Sequence, residues 1–193
     1  MAFDYPVFLN LTQVAVLVVG GGPVALRKAT GLAKAGAIVT VIAPDVADGI
    51  EAVAHQIEKR PYRRGDIAGY KLVITATNDP VVNALVASDA KSHGVWVNSA
   101  DDPDNCSFIL PAVARRGFVT VAVSTGGSSP ALAQRLRTDI ASIHLTEIVE
   151  TVAIELDRQR ADIRAAGTST EDIDWDDRIN AALRAAKDSN YEL

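Results

Sequence analysis

The chain has 193 residues, 48% of them hydrophobic and 22% charged, with a formal net charge of −5. That length buries one good core and leaves room for a smaller second unit, and the acidic balance gives no electrostatic case for a nucleic-acid partner. No apolar run approaches a membrane span, the opening MAFDYPVFLN lacks a signal-peptide pattern, and the single cysteine, Cys106, forms no internal disulfide, which fits a cytoplasmic, reducing compartment.

Residues 14–19 (VAVLVV) form a β-branched apolar run that predicts a strand buried on both faces. GGGP follows at once, and then residues 24–35 show helical periodicity ended by Gly36. Residues 38–42 (IVTVI) complete a βαβ unit. Residues 44–53 read as a short helix, 55–62 as a weak strand, 71–76 as a strong strand, 79–93 as a helix and 95–98 as a fifth strand. This alternation predicts an α/β fold, a Rossmann-type doubly wound parallel sheet. After residue 101 the pattern changes. Residues 107–114 and 118–123 read as extended segments around Gly117, and helices follow over 130–143, 146–165 and 170–187. The boundary falls near residues 112–115, leaving a first domain of 1–113 and two later regions, 114–145 and 146–193.

Gly20-Gly21-Gly22-Pro23-Val24-Ala25 fits G-x-G-x-x-G/A, with alanine at the third small position. Gly20 permits the tight turn, Gly22 lets a pyrophosphate approach the backbone, and Ala25 keeps the helix close to the sheet. The free N–H groups and partial positive charge of the helix start then favour a diphosphate. The acid expected after the second strand is missing. Ala43, Pro44 and Asp45 stand there, and Asp45 either reaches an adenosine ribose or caps the next short helix. No Arg or Lys follows closely to meet a 2′-phosphate, so NAD is expected rather than NADP. Thr77 and Asn78, after the fourth strand, either border the cofactor or form only a turn before the next helix.

Asp101 and Asp102 follow the fifth strand on the same edge, and either is placed to act as a base beside a nicotinamide, or to belong to a solvated turn. Thr125, Gly126, Gly127 and Ser128 form a second glycine-rich loop that opens a helix carrying Arg135 and Arg137. Its two readings are an anion site for a polycarboxylate substrate and a flexible connector. The three histidines and Cys106 show no metal-ligand spacing, and no metal is expected.

These motifs together resemble the precorrin-2 dehydrogenase family, the N-terminal module of siroheme synthases, over nearly all of residues 3–140. The resemblance is carried by PVFL from Pro6, VVGGGPVALRKATGLAKAGA, ATND from Ala76, NSADDPDNCSFILPA from Asn98 and VAVSTGGSSPALAQRLR from Val121. It implies NAD-dependent oxidation of precorrin-2 to sirohydrochlorin in siroheme synthesis, on a homodimer, with 114–145 as a dimerisation region and 146–193 as a C-terminal helical region. It matches the family's essential aspartate to Asp101, and its cofactor contacts to Pro23, Val24, Pro44 and Asp45. Some members also insert iron into sirohydrochlorin, so a bifunctional dehydrogenase and ferrochelatase is one alternative. A module of another class, sensing NAD(H) or a tetrapyrrole without catalysis, is the other.

Overall fold

The computed structural model describes residues 3, 5–100, 102–171 and 173–189. They divide into two units, 1–110 and 111–193. In the first, β1 (Ala15–Val19) leads into α1 (Pro23–Lys34) and returns in β2 (Ile38–Ile42). The short β3 (Gln56–Glu58) follows, then β4 (Leu72–Thr75), α2 (Pro80–His93) and β5 (Trp96–Ser99). All pairings are parallel and the strand order is β3-β2-β1-β4-β5. Chain order reverses at β1, beside β4, where open α/β sheets form a crevice at their carboxyl ends.

The alternating side chains of β1 explain the two-sided core. Val16 and Val18 pack with Ala25, Ala29 and Leu32 of α1 on one face. Leu17 and Val19 pack with Val86, Ala87 and Ala90 of α2 on the other. Both helices present their buried residues at three- and four-residue intervals. Because the central strands bury both faces, shortening Leu17 to alanine would leave a cavity costing about 2–5 kcal/mol.

Several expected elements shorten for identifiable reasons. The helix expected over 44–53 is only a 3-10 turn, Ile50–Ala52. Gly49 is left-handed there (φ +92°), and the Ala47 N–H goes to the Gly21 carbonyl at 2.7 Å instead of into a helix. The weak strand expected over 55–62 keeps just the residues of β3, since Pro61 has no N–H to continue a ladder.

In the second unit, β6 (Ala112–Arg116) and β7 (Val119–Val123) form an antiparallel ribbon around Gly117. The extended segment expected from residue 107 joins this ribbon only at Ala112, because Ser107 spends its N–H and hydroxyl on the Val97 carbonyl and Pro111 offers no donor. Helices α3 (Pro130–His144), α4 (Glu147–Ala165) and α5 (Asp176–Ser189) follow. The last starts later than the expected residue 170, and ahead of it Trp175 Nε1 donates to the Thr170 carbonyl at 3.2 Å. Val152, Ala182 and Ala186 make a small core for this unit. No helix among the described residues is long and apolar enough to cross a membrane.

Candidate functional site

The carboxyl ends of β1, β2 and β4 release three loops that border one groove of about 290 Å³. The glycine loop contributes Gly20, Gly21, Gly22, Pro23 and Val24, the second contributes Ala43, Pro44 and Asp45, and the third contributes Ala76, Thr77 and Asn78. Every residue expected at a cofactor, namely Gly20, Gly22, Pro23, Val24, Pro44, Asp45, Thr77 and Asn78, therefore lines the same groove.

The glycines serve different ends. Gly20 has φ +123°, and a Cβ there would collide with the Ala76 carbonyl of the neighbouring loop. A Cβ on Gly21 would collide with the Asp45 carbonyl, so the middle glycine lets the second loop close onto the first. Nothing lies within 4 Å of a Cβ on Gly22, so no protein atom requires glycine at this groove position. The sequence pattern named Gly20 and Gly22 but left Gly21 as a free position. Its constraint comes from a segment more than 20 residues away and has no local signal.

The helix start tells a similar story. A side chain closes α2, where Asp79 Oδ1 accepts from Val81 N–H at 2.8 Å, and Ser129 and Thr146 close α3 and α4. At α1 the cap is Gly22, with no side-chain hydrogen bond and no acid in the first turn. Its leading N–H groups have no internal side-chain partner and complement an anion. Asp45 is exposed on the groove, and the cap of the 3-10 turn is Gly49, which removes the helix-capping alternative for Asp45. Asn78 is exposed, whereas the Thr77 hydroxyl turns inward to Asn83 Oδ1 at 2.7 Å.

Asp101 lies outside the described residues. Its neighbours are held at the end of β5: Ala100 N–H donates to the Thr75 carbonyl at 2.9 Å, and Asp102 N–H to the Ser99 carbonyl at 3.4 Å. Cys106 ties the turn from inside. Its Sγ accepts from Ser99 N–H at 3.1 Å and donates toward the Ser99 and Asp102 carbonyls, each at 3.3 Å. Burial pushes this thiol above its ordinary pKa, so it acts as a small hydrogen-bonding core residue rather than a thiolate.

In the second unit the 125–129 loop satisfies many of its own donors. Thr125 Oγ1 accepts from Ser129 N–H at 3.0 Å, the Thr125 carbonyl accepts from Ser128 N–H at 3.0 Å, and Ser124 Oγ accepts from Gly126 N–H at 3.1 Å. Gly126, Gly127 and Ser128 are exposed. Arg135 is 77% exposed and pairs with Asp139 on the same helix at 2.9 Å. Arg137 Nε, by contrast, is buried without a hydrogen-bond partner. Among the described residues no group of His, Cys, Asp or Glu gathers as a metal site.

Residues 7–112 match the family described as "Putative NAD(P)-binding", and residues 116–143 match the central part of the sirohaem biosynthesis proteins. The siroheme synthase of Azotobacter vinelandii is 47% identical over 71% of this chain and 31% of its own length, and that of Methylococcus capsulatus is 48% identical over 71% and 30%. The chain thus spans about a third of these curated relatives. A solved structure named SirC, precorrin-2 dehydrogenase, superposes with a TM-score of 0.72 at 30% identity, covering 94% of this chain and 88% of that one.

Proposed function

The chain belongs to the precorrin-2 dehydrogenase family, and from that premise we propose that it oxidises precorrin-2 to sirohydrochlorin with NAD as acceptor. The observation that carries this reading is the convergence of three loops on one groove at the unclosed start of α1. Gly20, Gly22, Pro23 and Val24 would hold the diphosphate, while Pro44, Asp45, Thr77 and Asn78 border the rest of the cofactor. NAD is favoured over NADP because Asp45, and no Arg or Lys, follows β2: a 2′-phosphate would meet a carboxylate there.

Bound NAD supplies a hydride acceptor. Oxidation of the tetrapyrrole also releases a proton, and we assign its removal to Asp101. Its described neighbours Ala100 and Asp102 are hydrogen-bonded to Thr75 and Ser99 at the end of β5. Arg135, exposed on α3, is the residue proposed to meet a substrate carboxylate, whereas Thr125, Gly126, Gly127 and Ser128 form a loop that spends donors on itself.

The 114–145 region is read as the dimerisation part and 146–193 as a helical appendage. Phe118, Leu132 and Ile143 leave 74%, 50% and 66% of their surface exposed, which favours a second copy. The buried free thiol of Cys106 fits the cytoplasm.

The test is an anaerobic assay of the protein with enzymatically generated precorrin-2. Sirohydrochlorin should form with NAD, and more slowly with NADP. Asp101→Ala should bind NAD as the parent does and give no turnover. Tight NAD binding without turnover of any tetrapyrrole would overturn the assignment and favour a sensing role, and ferrous iron added to finished product separates a pure dehydrogenase from a bifunctional one.

A further inference from the structure

A buried polar chain crosses the first unit from β5 to the cofactor groove. Thr75 and Ser99 are register partners on β4 and β5, 0% and 3% exposed, with hydroxyl oxygens 3.3 Å apart. Thr75 Oγ1 lies 2.7 Å from Asn83 Oδ1, and Asn83, 7% exposed, sits on the core-facing side of α2. Thr77 Oγ1, in the third groove loop, reaches the same Oδ1 at 2.7 Å, and Asn83 Nδ2 lies 3.2 Å from the Thr77 carbonyl.

The chemistry fixes the Asn83 amide and the Thr75 and Ser99 hydroxyls in this chain. The Thr77 carbonyl only accepts, so the amide nitrogen of Asn83 must face it and its oxygen must face the two hydroxyls. Thr75 therefore donates to Asn83, and Ser99 must donate to Thr75. The single Thr77 hydroxyl proton has Asn83 Oδ1 at 2.7 Å and the Asp79 carbonyl at 3.0 Å as acceptors, both within the protein, and its oxygen accepts from Asp79 N–H at 3.1 Å. Asn83 thus holds the third groove loop by side chain and backbone at once. The Thr77 hydroxyl has no proton left for a ligand in the groove.

We propose that Asn83 is a positioning residue for cofactor binding: it grips Thr77 from beneath and so sets the wall formed by Ala76, Thr77 and Asn78. This rests on the reading of the groove as the NAD site. The groove offers its backbone and Asn78 on this side, and the threonine hydroxyl serves the protein interior.

The direct measurement is NAD affinity by titration calorimetry on the full chain, with thermal melting alongside and steady-state turnover of precorrin-2. Thr77→Val keeps the shape and loses the hydroxyl, and should weaken NAD binding about five- to tenfold, raising KM for NAD while leaving KM for precorrin-2 and the melting temperature near the parent's. Thr77→Ser should restore the affinity, because it keeps the donor. Asn83→Asp still accepts from both hydroxyls but sets an oxygen against the Thr77 carbonyl, and should weaken NAD binding at least as much. Parent-like NAD affinity in Thr77→Val or in a folded Asn83→Asp overturns the proposal, as does failure of Thr77→Ser to recover it. A parent protein that binds no NAD overturns instead the cofactor reading on which the proposal rests.

Discussion

Two glycine-rich loops in this chain each lead into a helix with proline at its first position, yet they are built on opposite terms. In the loop before α1, Gly20 and Gly21 are fixed by backbone from two other loops, and the helix start has no side-chain cap. In the loop before α3, a Cβ on Gly126 or Gly127 would meet nothing within 4 Å, and Thr125 and Ser129 satisfy the turn from within. The first is shaped by the fold and leaves its helix start without a side-chain cap. The second is shaped by its own side chains. A glycine-rich sequence before a helix therefore does not by itself identify an anion site. What matters is where the donors are already spent.

The sharpest way to break this contrast is Gly21→Ala. Its methyl group would collide with the Asp45 carbonyl, and backbone cannot yield as a flexible side chain can. Two groove loops would separate, with an expected loss of about 3 kcal/mol or more and loss of measurable NAD binding. Parent-like denaturant unfolding and NAD titration in that variant would show that the loops do not meet this closely.

Next in size is Asp89, a buried anchor of the first unit that does not line the groove. It is 1% exposed, accepting from Tyr62 Oη–H at 2.5 Å and Gly65 N–H at 2.7 Å. Burial pushes its carboxyl up, but these two bonds together with the neighbouring His93 and Arg64 charges leave it below the ordinary carboxylate range. A lowered folded pKa stabilises fully above the unfolded value of about 3.9 and loses that contribution as pH falls through the folded value. Asp89→Asn should cost about 1–3 kcal/mol at neutral pH and flatten the acid limb of the stability profile. An unchanged acid limb would remove Asp89 as its source.

Gly22→Ala and Gly127→Ala then divide ligand from protein. Gly22 has φ −80° and open space, so alanine should leave stability within about 0.5 kcal/mol while weakening NAD binding about tenfold, or 1.4 kcal/mol. Gly127 has φ +91°, so alanine should cost about 1–2 kcal/mol of stability with NAD affinity intact. Exchanged outcomes would reverse the roles given to the two loops. Smallest is Arg135→Ala. Its exposed pair with Asp139 contributes within about 0.5 kcal/mol, so unfolding should hardly move, while a severalfold rise in KM for precorrin-2 is expected. An unchanged KM would take Arg135 out of the substrate site.

The parallel α/β fold, the glycine turn and its helix, and the site at the carboxyl edge were legible in the sequence. They rest on local signals: β-branched runs buried on both faces, three- to four-residue periodicity, and small residues between strand and helix. Where spacing left Asp101 and Asp102 open, the family resemblance supplied an expectation, Asp101, that rests on the resemblance alone. Asn83 left a faint trace as a polar residue on the buried stripe shared with Val86, Ala87 and Ala90, a position where a partner is expected. Tertiary structure alone decided that Gly21 is a contact rather than a spacer, that Asp45 faces the groove and caps no helix, and that the Thr77 hydroxyl points inward. The reason is physical: each depends on an atom brought close from a distant part of the chain. A periodic pattern records which face of an element is buried, and not which backbone oxygen waits there.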